Sequence, residues 1–473
     1  MKNVKKLIAV AMTLSLGVTA LTGCGSKPAA TNASGKGSDE PDTITALLPP
    51  VSPNYQKNFE QMSKDFHEKY PNLTLKIEPA SWEDMTQKLD VQVNAGSPPD
   101  IAFMGSDGIS KYADSGMVMD ISKLATDEMI NDFEKVPLDY MKNAKGLYGF
   151  PAYMEIHALG GNKQYLEAAG IDWKSIQQNG WTFDQFREAI KKGVVTDNGK
   201  PSRYGFVFAC SGVAAKDYLG ILTKEAGMPS PFTKDLKYAY TSKNFLEVLK
   251  GIRTLIDDGS MPKELSSVNA GMRWNMFLTG KTMITGKGLA VFENSANTNN
   301  KKIDAKDSSA VKDSIKVDYI VLPVPTFGSN KQQATPAVDG YVTFKGKNNK
   351  NAEHDKNVVK AAYFLASGKV AAETNNDLFV AQITKSGAEA AKSMTVTRNQ
   401  DNVKAVENLI KNAAEARPDI PTELGAKHIK LEDQVIVPKL QALLANEITP
   451  QQMYDAVKAA AIEAFGEDKI VKD

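Results

Sequence analysis

An α/β fold built on a parallel sheet and shared between two domains is what this sequence predicts, and three observations predict it. Residues 43–104 read as strand, helix, strand, helix, strand, the spacing of parallel strands joined by crossover helices. The middle of the chain repeats that style with more helix, and the remainder from Asn357 onward is predominantly helical. Removing a leader of residues 1–23 leaves roughly 450 residues, too many for one compact core.

Each element has its own signal. Thr43–Leu48 reads as the first strand, stopped by Pro49-Pro50. Phe59, Met62, Phe66 and Tyr70 recur at spacings of three, four and four, one face of a helix that Pro71 ends. Leu73, Leu75 and Ile77 then alternate as a second strand. Ser81 to Asp84 reads as a capping box opening a helix with Met85, Leu89 and Val93 on its buried face, and Gly96 ends it. After Ser97-Pro98-Pro99-Asp100 comes the short strand Ile101–Met104. Ligands of such sheets sit outside the carboxyl ends of the strands, so the loops after Leu48 and Met104 are the first places to look for a site.

Further on, Gly170 caps the helix that holds Tyr165 and Leu166. Thr182 with Gln185 forms a second capping box, flanked by Trp181 and Phe186 as a hydrophobic staple, so Trp181 reads as a structural clamp. Ser242 opens a long helix carrying Phe245, Leu249, Ile252 and Leu255, ended by Gly259. Trp274, Phe277 and Leu278 belong to another helix, stopped at Gly280 before a strand at Thr282–Thr285. Asn294–Lys316 almost lacks large apolar residues and reads as a solvated insertion. Val317–Val321 and Ala337–Phe344 read as strands on either side of a loop, and a last amphipathic stretch surrounds Met453, Val457 and Phe465.

The N-terminus carries an address. Lys2, Lys5 and Lys6 precede an apolar run from Leu7 through Val18, short for a permanent span but the length of a signal-peptide core. It ends at Leu21-Thr22-Gly23-Cys24, which resembles the lipobox of bacterial lipoproteins, in which the Cys is acylated and becomes the new N-terminus. Residues 24–42 follow as a tether without an aromatic or large aliphatic side chain, so it cannot bury enough surface to order itself. As a flexible coil it reaches roughly 20–25 Å. The expectation is a globular body held by lipid at the extracytoplasmic face of a Gram-positive cell membrane.

Composition excludes several function classes. Cleavage removes three lysines and no acid, taking the formal charge from +1 to about −2, which gives no electrostatic case for nucleic acid. With Cys24 lipidated, Cys210 has no disulfide partner and reads as a buried, inert thiol. The four histidines form no His-Glu-x-x-His zinc helix, so neither a metal nor a cofactor is expected. Phe277–Thr282 imitates a phosphate loop, but Asn275 stands where the motif requires its first glycine. No Gly-x-Ser-x-Gly elbow is present, and no catalytic residue is assigned.

Six segments in order carry a resemblance. Gly96-Ser97-Pro98-Pro99-Asp100, Tyr112–Asp120, Gly146–Pro151, Gly161–Gly170, Gly180–Phe186 and Phe277–Met283 are similar to the pieces of family 1 extracellular solute-binding proteins, the sugar-binding lipoproteins of ABC importers. Gly161 departs from the pattern, standing where an aromatic is usual. The resemblance implies a type II periplasmic-binding-protein-like fold: two α/β lobes joined by hinge strands, with ligand in the cleft between them. The implied division is 43–151 plus 275–339 for the N-terminal lobe and 152–274 plus 340–473 for the C-terminal lobe.

A sugar has apolar C–H faces and a hydroxyl rim, so its site needs aromatic platforms and planar hydrogen-bonding groups. Asp107 follows the third strand and matches a position where the family uses an Asp for sugar hydroxyls; it also suits an N-cap. Tyr153 and Glu155 follow the crossover Pro151 and are expected to line the cleft. Asp339-Gly340-Tyr341 resembles a Gly-Gly/Gly-Trp segment, with Gly340 for close approach and Tyr341 as platform, although Asp339 replaces a small residue. Trp82, Trp274 and Phe292 are further platform candidates, although Trp274 reads first as the core face of its helix. The implied function is capture of a mono- or oligosaccharide by a monomer and its delivery to an ABC permease, without catalysis. The alternatives are the same fold binding a peptide or polyol phosphate, and an exported carbohydrate-active enzyme.

Overall fold

The computed structural model describes residues 40–472 apart from 53, 213 and 346–350. The leader, Cys24 and the tether as far as residue 39 lie outside the described residues. Along the described chain the strands are β1 (Asp42–Leu48), β2 (Leu73–Pro79), β3 (Ile101–Gly105), β4 (Lys142–Asn143), β5 (Gly146–Leu147), β6 (Gly149–Asn162), β7 (Val195–Asp197), β8 (Lys200–Phe208), β9 (Thr282–Gly288), β10 (Tyr319–Leu322) and β11 (Thr335–Thr343). All but the β4–β5 pair join one sheet in the order β2-β1-β3-β11-β6-β9-β8-β7, with β10 also on β6.

The first strands form as the sequence predicts. β1 pairs in parallel with β2 and β3, because the helices Phe59–Lys69 and Trp82–Asn94 carry the chain back across the sheet between them. Phe59, Met62 and Phe66 are buried on the first helix. The Ser81 hydroxyl accepts the Asp84 N–H at the start of the second. In the next lobe Thr182 and Gln185 complete a full capping box. Trp181 is indeed a clamp: it is buried, donates to Pro323 O at 2.8 Å and sits edge-on to Phe186.

Asn294–Lys316 departs from the expectation of a solvated insertion. Val291–Asp304 is a helix that buries Ala296 and Asn299. Its stabilisation comes from amides: Asn299 donates to Ser314, and Asn300 exchanges two hydrogen bonds with the Val317 backbone at 2.8 and 3.0 Å. Polar side chains that satisfy the adjoining loop hold this helix in place of an apolar stripe.

Two large cores define two lobes. One gathers Ile44, Leu75, Phe103, Phe150, Tyr341 and Leu365; the other gathers Phe186, Phe206, Phe245, Ile284, Leu322 and Leu440. A smaller third core lies around Phe277, Tyr319 and Leu409. The expected division of the chain is therefore corrected. Most of residues 275–334 packs into the second and third cores, because β9 pairs with β8 and the far half of β6, while Ala290 and Val291 lie against the first. Residues 338–380 pack into the first, because β11 returns between β3 and the near half of β6. β6 is the longest strand, 14 residues, and serves both lobes: its start pairs with β11 and its end with β9 and β10.

Candidate binding cleft

The carboxyl end of β3 builds one wall. Gly105 pairs with Asp339 of β11, and a side chain at Gly105 would lie 2.5 Å from Asp107 Oδ1 and 3.3 Å from Asp339 Oδ1. Glycine is required there because the Asp107 and Asp339 carboxylates already occupy the space a side chain would take. The Tyr153 hydroxyl donates to Asp339 Oδ2, and Asp107 stands on the other side of Gly105. Asp107 makes no cap hydrogen bond, and its side chain is 72 % exposed, which frees the carboxylate for other partners.

The facing wall comes from residues that sequence reasoning missed. Helix Ala214–Glu225 supplies Lys216, Asp217 and Lys224, and Lys287 is the last residue but one of β9. Lys216 lies 3.5 Å from Asp107 and 3.7 Å from Glu432, while Lys287 pairs with Asp217 at 3.2 Å. Lys216 and Lys224 stand eight residues apart on the same face with Gly220 between them, where an added Cβ would meet nothing. That spacing was readable, but surface lysines show it as often. Gly286-Lys287-Gly288 at a strand end was the better signal.

Charge shapes these groups. The Lys216 ammonium holds the Asp107 carboxyl below the usual range, and Asp107 in turn raises Lys216. Burial raises Asp339 although Tyr153 and Lys287 oppose it. Burial lowers His157, next to Tyr153 and Glu155 on β6, and Lys287 and Lys224 press it further toward the neutral form.

Glu155 is 6 % exposed; its carboxyl accepts the N–H groups of Ala290 and Val291 where helix Val291–Asp304 begins, and its Oε1 has no partner. Burial pushes it up to about 8. Between pH 4.5 and 8 the folded protein keeps this proton while the unfolded chain has lost it, so stability falls as pH rises through that window. The lowered His157 and His428 act with the opposite sign, but only below the ordinary imidazole value of 6.5. Replacing Glu155 by Gln should therefore remove about 1–2 kcal/mol of the decline between pH 6.5 and 8.5. Urea midpoints across that range test this; parallel wild-type and variant curves would refute it.

The aromatic candidates divide. Trp82 is 44 % exposed, donates to Pro50 O at 3.1 Å and stands edge-on to Phe103, whose ring in turn meets Tyr153. Phe292 helps line a cavity of about 550 Å³ with Pro50, Ser52 and Gln56 from the loop after β1, one of the two loops expected to hold a site. Trp274 stacks on Phe292 at 4.7 Å and on Phe277 at 5.4 Å, so it backs the platform from the third core. Tyr341 is a correction: it is fully buried, packs on Phe103 and pairs its hydroxyl with Tyr55. Gly340 is another, since a Cβ there would sit 2.3 Å from Phe150 O; the glycine serves the close pairing of β11 with β6.

Comparison with known proteins gives a consistent picture. The sequence pattern described as bacterial extracellular solute-binding protein matches residues 50–372. A binding protein of Brucella abortus strain 2308 is 24 % identical over 234 residues, 49 % of this chain and 55 % of that protein. A lipoprotein of Streptomyces antibioticus is 24 % identical over 196 residues, 41 % of this chain and 40 % of that one. The chain thus spans about half the length of the curated relatives it matches. Among solved structures, the ABC substrate-binding protein of Listeria monocytogenes in complex with cycloalternan superposes with a TM-score of 0.69 at 17 % identity, covering 90 % of this chain and 100 % of that one. The maltodextrin-binding domain of Bdellovibrio bacteriovorus bound to maltotriose gives 0.68 at 17 % identity, covering 89 % and 99 %. These likenesses show a periplasmic-binding-protein fold of the maltodextrin-binding type over about 90 % of the chain.

Proposed function

Because this chain belongs to the bacterial extracellular solute-binding protein family, whose members are non-enzymatic receptors of ABC transporters, we propose that it captures a mono- or oligosaccharide between its lobes. The observation that carries this reading is the pair of carboxylates, Asp107 and Asp339, gathered over Gly105, with the exposed Trp82 packed on Phe103 of the same strand. Carboxylates accept sugar hydroxyls in pairs, and an indole covers an apolar sugar face. Lys216 and Lys287 already have carboxylate partners, which favours a neutral polyhydroxylated ligand over an acidic one. The saccharides bound by the Listeria and Bdellovibrio proteins support the same class.

The lipid anchor at Cys24 belongs to this proposal, as does delivery to a membrane permease. On that reading the tether keeps the capture module within reach of its transporter, and hinge closure at β6 and β11 reports occupancy.

A thermal-shift panel of neutral mono- and oligosaccharides, uronates and peptides tests the ligand class. A saccharide present at a hundred times its Kd should raise stability by about 2.7 kcal/mol. Stabilisation by a peptide with none by any saccharide would overturn the proposal.

A further inference from the structure

The lobes touch beside the cleft as well as through the hinge strands. Helix Thr422–Leu431 of the second lobe lies on helix Ile109–Asp114 of the first, where an added Cβ at Gly425 would stand 2.7 Å from Ser110 Oγ. Asp107 lies two residues before that first-lobe helix. Glu432 immediately follows the second-lobe helix, in a widened turn running to Ile436. Lys216 reaches both carboxylates, one from each lobe.

We propose that Lys216 is a positioning residue that clasps the two lobes, with Gly425 as the seat that lets them approach closely enough for the clasp to form. The inference rests on the two-lobe binding reading only in taking closure as the working motion. Lys216 faces Asp107, Glu432, Asp217 and Asp433. Asp107 also faces Asp217 and Lys224, and Asp217 is held by Lys287. Without the ammonium, Asp107 would lose its link to Glu432 across the lobe boundary, and Glu432, which burial already raises to about 7, would take up a proton. Removing Lys216 therefore deletes two contacts at once, one to each lobe's carboxylate, a larger change than the loss of a single surface ion pair. The contact is also open to water, Asp107 especially, so salt should loosen it.

The test needs no ligand. Nitroxide labels at Val91 and Val195, exposed positions on the first and second lobes, report the inter-lobe distance in the full chain carrying Cys24→Ala by pulsed electron resonance. Cys210 is buried and does not compete for label. The wild type should give a dominant short distance. Lys216→Met should shift the closed-to-open ratio about three- to tenfold toward open, Lys216→Arg should restore it, and 1 M KCl should open the wild type in the same direction. Gly425→Val should open the chain while leaving the ion pair's residues intact. A Lys216→Met distribution that overlays the wild type would overturn the clasp, as would a wild type already open. A shifted distribution in a protein that no saccharide stabilises would leave the clasp standing and sink only the sugar reading.

Discussion

Replacing Tyr341 by alanine is expected to cost about 3–5 kcal/mol of folding stability, the range for deleting a large buried ring. The ring is fully buried, packs edge-on against Phe103 at 5.3 Å and lies on β11 in the middle of the first core. Its hydroxyl pairs with that of Tyr55, which is also buried, so the truncation leaves a polar group without its partner and adds about 1–3 kcal/mol to the cost. Tyr341→Phe should lose only the hydrogen-bond part, about 1–2 kcal/mol. Urea unfolding of the ligand-free protein separates the two variants. A loss below 1 kcal/mol for the alanine variant, together with collapse of saccharide binding, would return Tyr341 to the ligand.

Trp82→Ala should do the reverse. The indole is anchored at one end by its hydrogen bond to Pro50 O and along one edge by Phe103, yet nearly half its surface is free. A rigid, half-exposed aromatic of this kind gives up little side-chain freedom when a sugar ring stacks on it. Titration calorimetry with the saccharide giving the largest thermal shift should show a ten- to hundredfold weaker Kd, about 1.4–2.8 kcal/mol. Stability should change by about 1 kcal/mol or less, since no cavity forms. Unchanged affinity would remove Trp82 from the site.

These two aromatics show how far the sequence could be read. The loops after Leu48 and Met104 were located from strand order alone, and Trp82, Asp107, Tyr153 and Asp339 do converge around them. Tyr341 could not be placed, because alternation along a strand distinguishes two faces without saying which one the cleft uses. Lys216 and Lys224 were invisible for another reason. A lysine on a helix looks like any solvated lysine until Asp107, more than a hundred residues earlier, is brought opposite it. The lobe boundaries were misread because periodicity carries no strand order: nothing in 335–343 announces that β11 runs antiparallel between β3 and β6. The Val291–Asp304 helix escaped notice because side-chain amides hold it in place where periodicity looks for an apolar stripe.

The return of β11 has a consequence for the order in which the molecule can be made. Asp339 pairs with Gly105, and Thr343 with Ile101, so the first lobe's sheet stays incomplete until residues 335–343 have emerged. By then the second lobe's strands β7 to β10 have already left the ribosome or crossed the membrane. The N-terminal lobe must therefore wait, with the β3 edge unpaired, while its neighbour forms. Contacts so distant along the chain make slow folding, and the exposed edge is where misassembly would start. The strand that completes the cleft is thus also the step at which a newly exported chain is most open to capture by a chaperone or to aggregation.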